Sequence, residues 1–142
     1  MDFYVYSRHA LEAARPHEVP HVIISITSAA DDVARLRTRE PCRGVLRLSF
    51  ADALEATPPF TEADLFTAEH ARQIWELVLR HRDDIERVVL HCDAGRSRSP
   101  AVAAALVRGL GGDDAEYFSG RYDPNMRVYR LLLDAAPKPA GA

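Results

Sequence analysis

The chain has 142 residues, 47% of them hydrophobic and 27% charged, with a formal net charge of −3. That length suits one domain with one real core, and the 7 Gly and 9 Pro are scattered without period, which excludes bulk disorder and collagen-like or low-complexity structure. No apolar run approaches the roughly 18 residues that span a bilayer, the acidic balance argues against nucleic-acid binding, and residues 1–8 lack the basic start and long apolar stretch of an export signal.

In chain order, residues 3–6 read as a short strand and 7–14 as a helix or turn. His21–Thr27 is a continuous β-branched run, the pattern of a strand buried on both faces. A short helix is expected over 29–36, capped by Thr27 or Ser28. A third strand covers 44–50, and 51–66 is loop, broken by Pro58 and Pro59. Thr67 caps a helix through about His81, in which Ala71, Ile74, Trp75 and Val78 recur at helical spacing. A fourth strand runs over 87–91, a helix over 99–109 stops at a glycine cluster, and a last helix covers 125–135.

Strands alternating with helices predict a single α/β domain over residues 1–136, with a mostly parallel sheet of about four strands and a Pro/Ala/Gly-rich tail at 137–142. Such sheets place their sites at the carboxyl ends of the strands. Four ends are on offer: Ser7 with Arg8, Thr27 with Ser28, Ala51 with Asp52, and Cys92.

Cys42 and Cys92 are too few for a disulfide framework, and without an export signal a reducing cytoplasm is expected. The histidines show no metal-ligand spacing, so no metal is expected. Cys42 reads as a small apolar filler.

Residues 91–100 read His-Cys-Asp-Ala-Gly-Arg-Ser-Arg-Ser-Pro, after a strand and into a helix. This is the layout of an oxyanion cradle with a nucleophile at its floor. The peptide N–H groups of Asp93, Ala94, Gly95, Arg96, Ser97 and Arg98 can form an anion nest, and the helix that follows aims its positive end at the same spot. Gly95 permits a backbone turn that other residues resist. The Arg98 fork can grip two oxygens of one anion. Cysteines in such a positive field are held as the nucleophilic thiolate. Asp93 would repel a bound phosphate unless it turned away, so Asp93 and Arg96 are expected to face solvent.

His91, Cys92, Gly95, Arg98 and Ser99 together meet every fixed position of His-Cys-x-x-Gly-x-x-Arg-Ser. In this the chain resembles the cysteine-dependent protein tyrosine and dual-specificity phosphatases. It is most similar to small bacterial predicted tyrosine phosphatases, through Ser25 and Thr27, Asp52, and Pro124, Asn125, Val128 and Tyr129. The resemblance implies hydrolysis of a phosphorylated protein or small phosphoester through a phosphocysteine, without metal or cofactor, by a cytoplasmic monomer. Cys92 would be the nucleophile and Arg98 the phosphate binder. Ser99 would hydrogen-bond the sulfur, and His91 would hold the loop from behind.

The family also uses an acidic residue to protonate the leaving oxygen. Asp52, just past the third strand, is the first choice, with Asp64, Glu55 and Glu62 as alternatives. Arg8 is a candidate substrate contact, and Tyr6, Tyr117 and Tyr122 are candidate pocket walls. Other readings keep the cradle. One is a phosphatase of small molecules or RNA 5′ phosphates, another a phosphate-binding module of weak activity, and a third an arsenate reductase or rhodanese-like sulfur carrier.

Overall fold

Four strands, β1 (Asp2–Ser7), β2 (His21–Thr27), β3 (Cys42–Ser49) and β4 (Arg87–Cys92), form one sheet in the order β1-β4-β2-β3. Every neighbouring pair is parallel. The computed structural model describes residues 1–138; residues 139–142, most of the expected tail, lie outside the described residues. All seven residues of β2 are buried, as its unbroken apolar run predicts, whereas edge strand β3 alternates between covered and exposed positions.

Period-two alternation divides the core into two layers. Val22, Ile24, Ile26, Val88, Leu90 and Cys92 share a cluster with residues from three helices, α2 (Ala68–His81), α3 (Arg98–Gly109) and α4 (Met126–Asp134). Ile23 and Val89, on the intervening positions, pack with Leu11 of α1 (Arg8–Ala13). Each fully buried Ile, Leu or Val contributes about 1.5–3 kcal/mol of transfer free energy. The α2 stripe Ala71, Ile74, Trp75 and Val78 is buried as its spacing predicts, and the Trp75 indole N–H donates to the Leu132 carbonyl at 2.8 Å.

The expected helix over 29–36 is absent. The segment holds a turn at Ala29 to Asp32 and then irregular backbone. Of its residues only Ala34 is buried, so a helix there would have no apolar face to cover. Its backbone groups are held from outside instead: Arg8 donates to the Val33 carbonyl, Arg47 to the Ala34 carbonyl, and the Arg35 N–H donates to Glu12. Two short 3₁₀ turns, Glu62–Asp64 and Ala115–Phe118, lie in stretches with no helical signal in the sequence.

The 51–66 loop is anchored at both ends. The Ala51 N–H donates to the Asp64 carbonyl at 2.7 Å. Arg127 of α4 donates to the Phe66 carbonyl at 3.0 Å and pairs with Glu62 at 2.8 Å. Because all strands run the same way, the loops that follow Ser7, Thr27, Ser49 and Cys92 leave one edge of the sheet.

Candidate active site

Cys92 ends β4 and is buried on the face that carries α3. The 93–97 loop returns the chain into α3. Its Gly95 has φ +69°, the left-handed region, and a Cβ there would stand 2.6 Å from the Ser7 nitrogen. Both the turn and the closeness of β1 therefore call for glycine. The loop's carbonyls are taken by neighbours: Asp93 by the Arg8 N–H, Arg96 by the Asp123 N–H, and Ser97 by the N–H groups of Asn125 and Ala101. Among the described residues nothing accepts from the loop's own N–H groups. They are the donors left for an anion, at the start of a 12-residue helix.

The sulfur has two contacts from the first turn of α3. Ser99 Oγ lies 3.1 Å from Cys92 Sγ, and the Ser99 N–H donates to it at 3.4 Å. Arg98 is buried, and its guanidinium is held on its outer edge. Nη1 donates to the Ser28 hydroxyl at 3.0 Å and to the Phe50 carbonyl at 2.9 Å, while Nη2 meets Asp93 Oδ2 at 3.1 Å. Nε donates to nothing among the described residues, so Nε and the second hydrogen of Nη2 remain for a ligand. Thr27-Ser28 is a strand end singled out in the sequence, but no signal there marks Ser28 as an arginine anchor.

Asp93 does not simply face solvent. Its carboxylate is half-exposed, yet it turns onto Arg98 and accepts from the Ser28 hydroxyl. The guanidinium is the nearest partner for a charge that would otherwise stand alone at the loop. Arg96 is exposed, as expected.

His91 faces the other side of the sheet from Cys92. Its Nε2 lies 2.6 Å from Ser25 Oγ, its register partner on β2. Burial holds the imidazole below its ordinary value, so it is neutral near pH 7. Ser25, marked in the sequence only by the resemblance, thus fixes the residue that precedes Cys92.

The four acidic candidates separate clearly. Asp52 Oδ1 accepts from the Ser97 hydroxyl at 2.9 Å and from Asn125 Nδ2 at 2.8 Å, which brings it to the loop. Asp64 caps its own 3₁₀ turn by accepting from Thr61. Glu62 is paired with Arg127, and Glu55 is exposed with no side-chain partner among the described residues. Arg8 is not free for a substrate: it pairs with Asp32 at 2.7 Å and Glu12 at 3.3 Å.

A cleft of about 510 Å³ adjoins the Arg98 anchors, lined by Ser28, Phe50, Pro59 and Phe60 among others, and by no basic side chain. Phe60 is its exposed aromatic ring. Tyr6 is engaged elsewhere, its hydroxyl 3.0 Å from His17 Nε2, and Tyr117 is buried and stacked with Tyr122.

Cys42 sits at the opposite end of the sheet. It is level with His21 and so with Arg87, five residues and about 16 Å along β4 from Cys92 at ~3.3 Å per residue. A disulfide between them is out of reach, and burial raises the Cys42 thiol above its ordinary value. Among the described residues no group of three or more His, Cys, Asp or Glu could hold a metal ion, and no helix is long and apolar enough to cross a membrane.

No family model matches the sequence, and no curated protein matches it. Solved structures do match in fold. Human DUSP28 superposes with a TM-score of 0.60 at 18% identity, over 94% of this chain and 90% of that one. A human tyrosine phosphatase-like serine/threonine/tyrosine-interacting protein gives 0.53 at 18%, over 82% and 75%. PTPMT1 in complex with PI(5)P gives 0.51 at 18%, over 82% and 76%. The single α/β domain described above therefore has the fold of the dual-specificity phosphatases.

Proposed function

We propose that this chain is a cysteine-dependent phosphoester hydrolase of the protein tyrosine and dual-specificity type. The observation that carries the reading is the contact between Ser99 and the Cys92 sulfur, at the base of a loop whose N–H groups lack acceptors and beside the anchored Arg98. The fold shared with DUSP28 supports it.

In the first step Cys92 Sγ attacks phosphorus. The S–P bond forms, the bond from phosphorus to the leaving oxygen breaks, and that oxygen takes a proton from Asp52. Arg98 and the N–H groups of residues 93–98 hold the three equatorial oxygens, where negative charge is spread during transfer. In the second step water attacks the phosphocysteine and gives a proton back to Asp52. The P–S bond breaks as the Ser99 hydroxyl donates to the departing sulfur. His91, fixed by Ser25, supports the loop from behind.

The Ser99 contact favours turnover over a pure phosphate-binding module, since binding alone needs no donor on the sulfur. Asp93 within the loop, and a neighbouring cleft without basic side chains, favour a singly phosphorylated protein or small molecule over a polyanion.

Hydrolysis of para-nitrophenyl phosphate by wild type and Cys92→Ser, with a metal chelator present, tests the reading. Turnover by wild type alone is expected, with a burst of nitrophenol when phosphocysteine breakdown is slow. Chelator-sensitive turnover, or equal rates for the two proteins, contradicts it. Vanadate binding with no turnover by wild type points to the binding module.

A further inference from the structure

We infer that edge strand β3 and a row of arginines beside it form a docking site for an extended acidic segment of another protein, which adds to the sheet as a further strand. Residues 33–47 hold five arginines, Arg35, Arg37, Arg39, Arg43 and Arg47, against one carboxylate, Glu40, in a chain whose net charge is −3. All five arginines are exposed. Glu40 meets Arg43 at 3.6 Å, and the other four pair with no carboxylate among the described residues. Arg72, Arg80 and Arg127, by contrast, each meet a glutamate at 2.8 Å or less.

The fold turns this stretch into a row. The β2–β3 connection runs back along β3 and is tied near both ends. Arg47 Nη1 donates to the Ala34 carbonyl at 3.1 Å, and the Cys42 N–H donates to the Arg39 carbonyl at 2.9 Å. Arg35, Arg37 and Arg39 therefore lie alongside the strand that carries Arg43 and Arg47. Leu36 packs on the small cluster of Leu11, Ile23 and Val89. It leaves Val45, the register partner of Ile23, 39% exposed as an apolar floor beside the row. Arg43 and Arg47 stand about 13 Å apart along β3 at ~3.3 Å per residue, the span of a short extended peptide.

β3 has a neighbouring strand on one side only. Among the described residues no loop backbone bonds to residues 43–49, so alternate residues present N–H and C=O groups outward. A second copy of β3 would set arginine against arginine, which like-charge repulsion opposes, whereas an acidic strand sets carboxylate against arginine. Residues 33–47 carry no aromatic side chain on which bases could stack. The negative net charge also repels a long polyanion. Val33 and Val45 are the exposed large apolar side chains of the stretch, too little surface to enter a bilayer. A short acidic peptide is the partner that fits.

The probe is a fluorescein-labelled decapeptide of alternating Glu and Val, followed by fluorescence anisotropy at low salt. As a strand it sets every carboxylate on one face. A Lys-Val decapeptide is its control. Wild type should bind the Glu-Val peptide and not the Lys-Val peptide. Arg37→Gln/Arg39→Gln should weaken binding about 2- to 25-fold, the loss of two exposed ion pairs. Arg37→Glu/Arg39→Glu should shift the preference toward the Lys-Val peptide. Salt raised from about 50 to about 500 mM should weaken wild-type binding about tenfold. Arg130→Gln, exposed on α4 on the other face of the sheet, should bind as wild type does. Bound peptide should slow amide exchange at alternate residues within 43–49. The substituted side chains are exposed and the backbone ties remain, so the variants should unfold at the wild-type temperature.

Absent binding of the Glu-Val peptide, equal binding of both peptides, or wild-type affinity in the Arg37/Arg39 variants overturns the site. Binding with unchanged exchange in β3 overturns strand addition. Tighter, Arg37- and Arg39-dependent binding of a phosphatidylserine–phosphatidylcholine vesicle or of a ten-nucleotide oligothymidylate gives the row to a membrane or a nucleic acid, and the peptide assignment fails. Arginine-dependent dimerisation in sedimentation gives the edge to a second copy of the chain, with the same consequence.

Discussion

The Arg98 guanidinium and the Asp93 carboxylate meet at 3.1 Å within one turn of the same loop. The Ser28 hydroxyl joins them, accepting from Arg98 and donating to Asp93. A negative charge therefore stands next to the group proposed to bind phosphate. It helps to orient the fork, and it also competes with any dianion that the fork binds.

Asp93→Asn removes that competing charge while Ser28 and the Phe50 carbonyl still hold Arg98. Asp93 is half-exposed, so solvent screens the pair and the effect is modest, about 2- to 5-fold. Competitive inhibition by inorganic phosphate or vanadate should tighten by that factor, and more at low salt. Weaker inhibition would show that orienting Arg98 outweighs repulsion.

Ser25→Ala leaves His91 Nε2 buried without its partner. Stranding a buried polar group costs about 1–3 kcal/mol. Thermal unfolding should fall accordingly, and phosphatase activity should drop further than stability alone explains, because His91 adjoins the nucleophile. Ser25→Thr, which keeps the hydroxyl, should recover part of both. Wild-type stability in Ser25→Ala would mean that the pair contributes nothing net.

Gly95→Ala forces a Cβ to within 2.6 Å of the Ser7 nitrogen and 2.7 Å of the Tyr6 carbonyl carbon, at φ +69°. The conformation alone costs about 1–2 kcal/mol, and the contact is with backbone, which cannot swing aside. The loop must move off β1, so both vanadate binding and turnover should be lost. Titration calorimetry with vanadate checks this, and wild-type affinity would contradict the close approach. Gly111, with φ +91° and open space around it, is the control site expected to retain binding.

Burial holds His17, His70 and His91 below the ordinary imidazole value of 6.5. The unfolded chain then binds more protons than the folded one as pH falls through that value. Their contribution to stability is fully present above 6.5 and is lost on acidification below it. The melting temperature should decline from about pH 7 to about pH 5, and His70→Gln should flatten the decline. A constant or rising melting temperature over that window contradicts the buried neutral state.

Much of the architecture is legible in the residues because it is encoded locally. A β-branched run makes β2, a Thr67 cap and a four-residue apolar stripe make α2, and Gly95 with Arg98 and Ser99 writes the proposed phosphate loop beside Cys92. Each signal lies within about a dozen residues of chain, where period and capping act directly. The 29–36 segment shows the limit of that logic. Its composition permits a helix, but arginines from β3 and α1 hold its backbone in another shape.

The alternating strands and helices, the 91–100 segment proposed as the nucleophile loop and the set of acidic candidates near it are all legible in the residues alone. Where each of those candidates sits relative to the loop follows from the tertiary contacts. They set Asp52 on Ser97 and Asn125, closed Asp64 onto its own turn, turned Asp93 onto Arg98 and put Ser25 against His91. The pairs Asn125–Asp52 and Ser25–His91 are 73 and 66 residues apart in the chain. Contacts at that range follow from strand order and register, which bring distant strand ends to one edge, and no local period or cap records them.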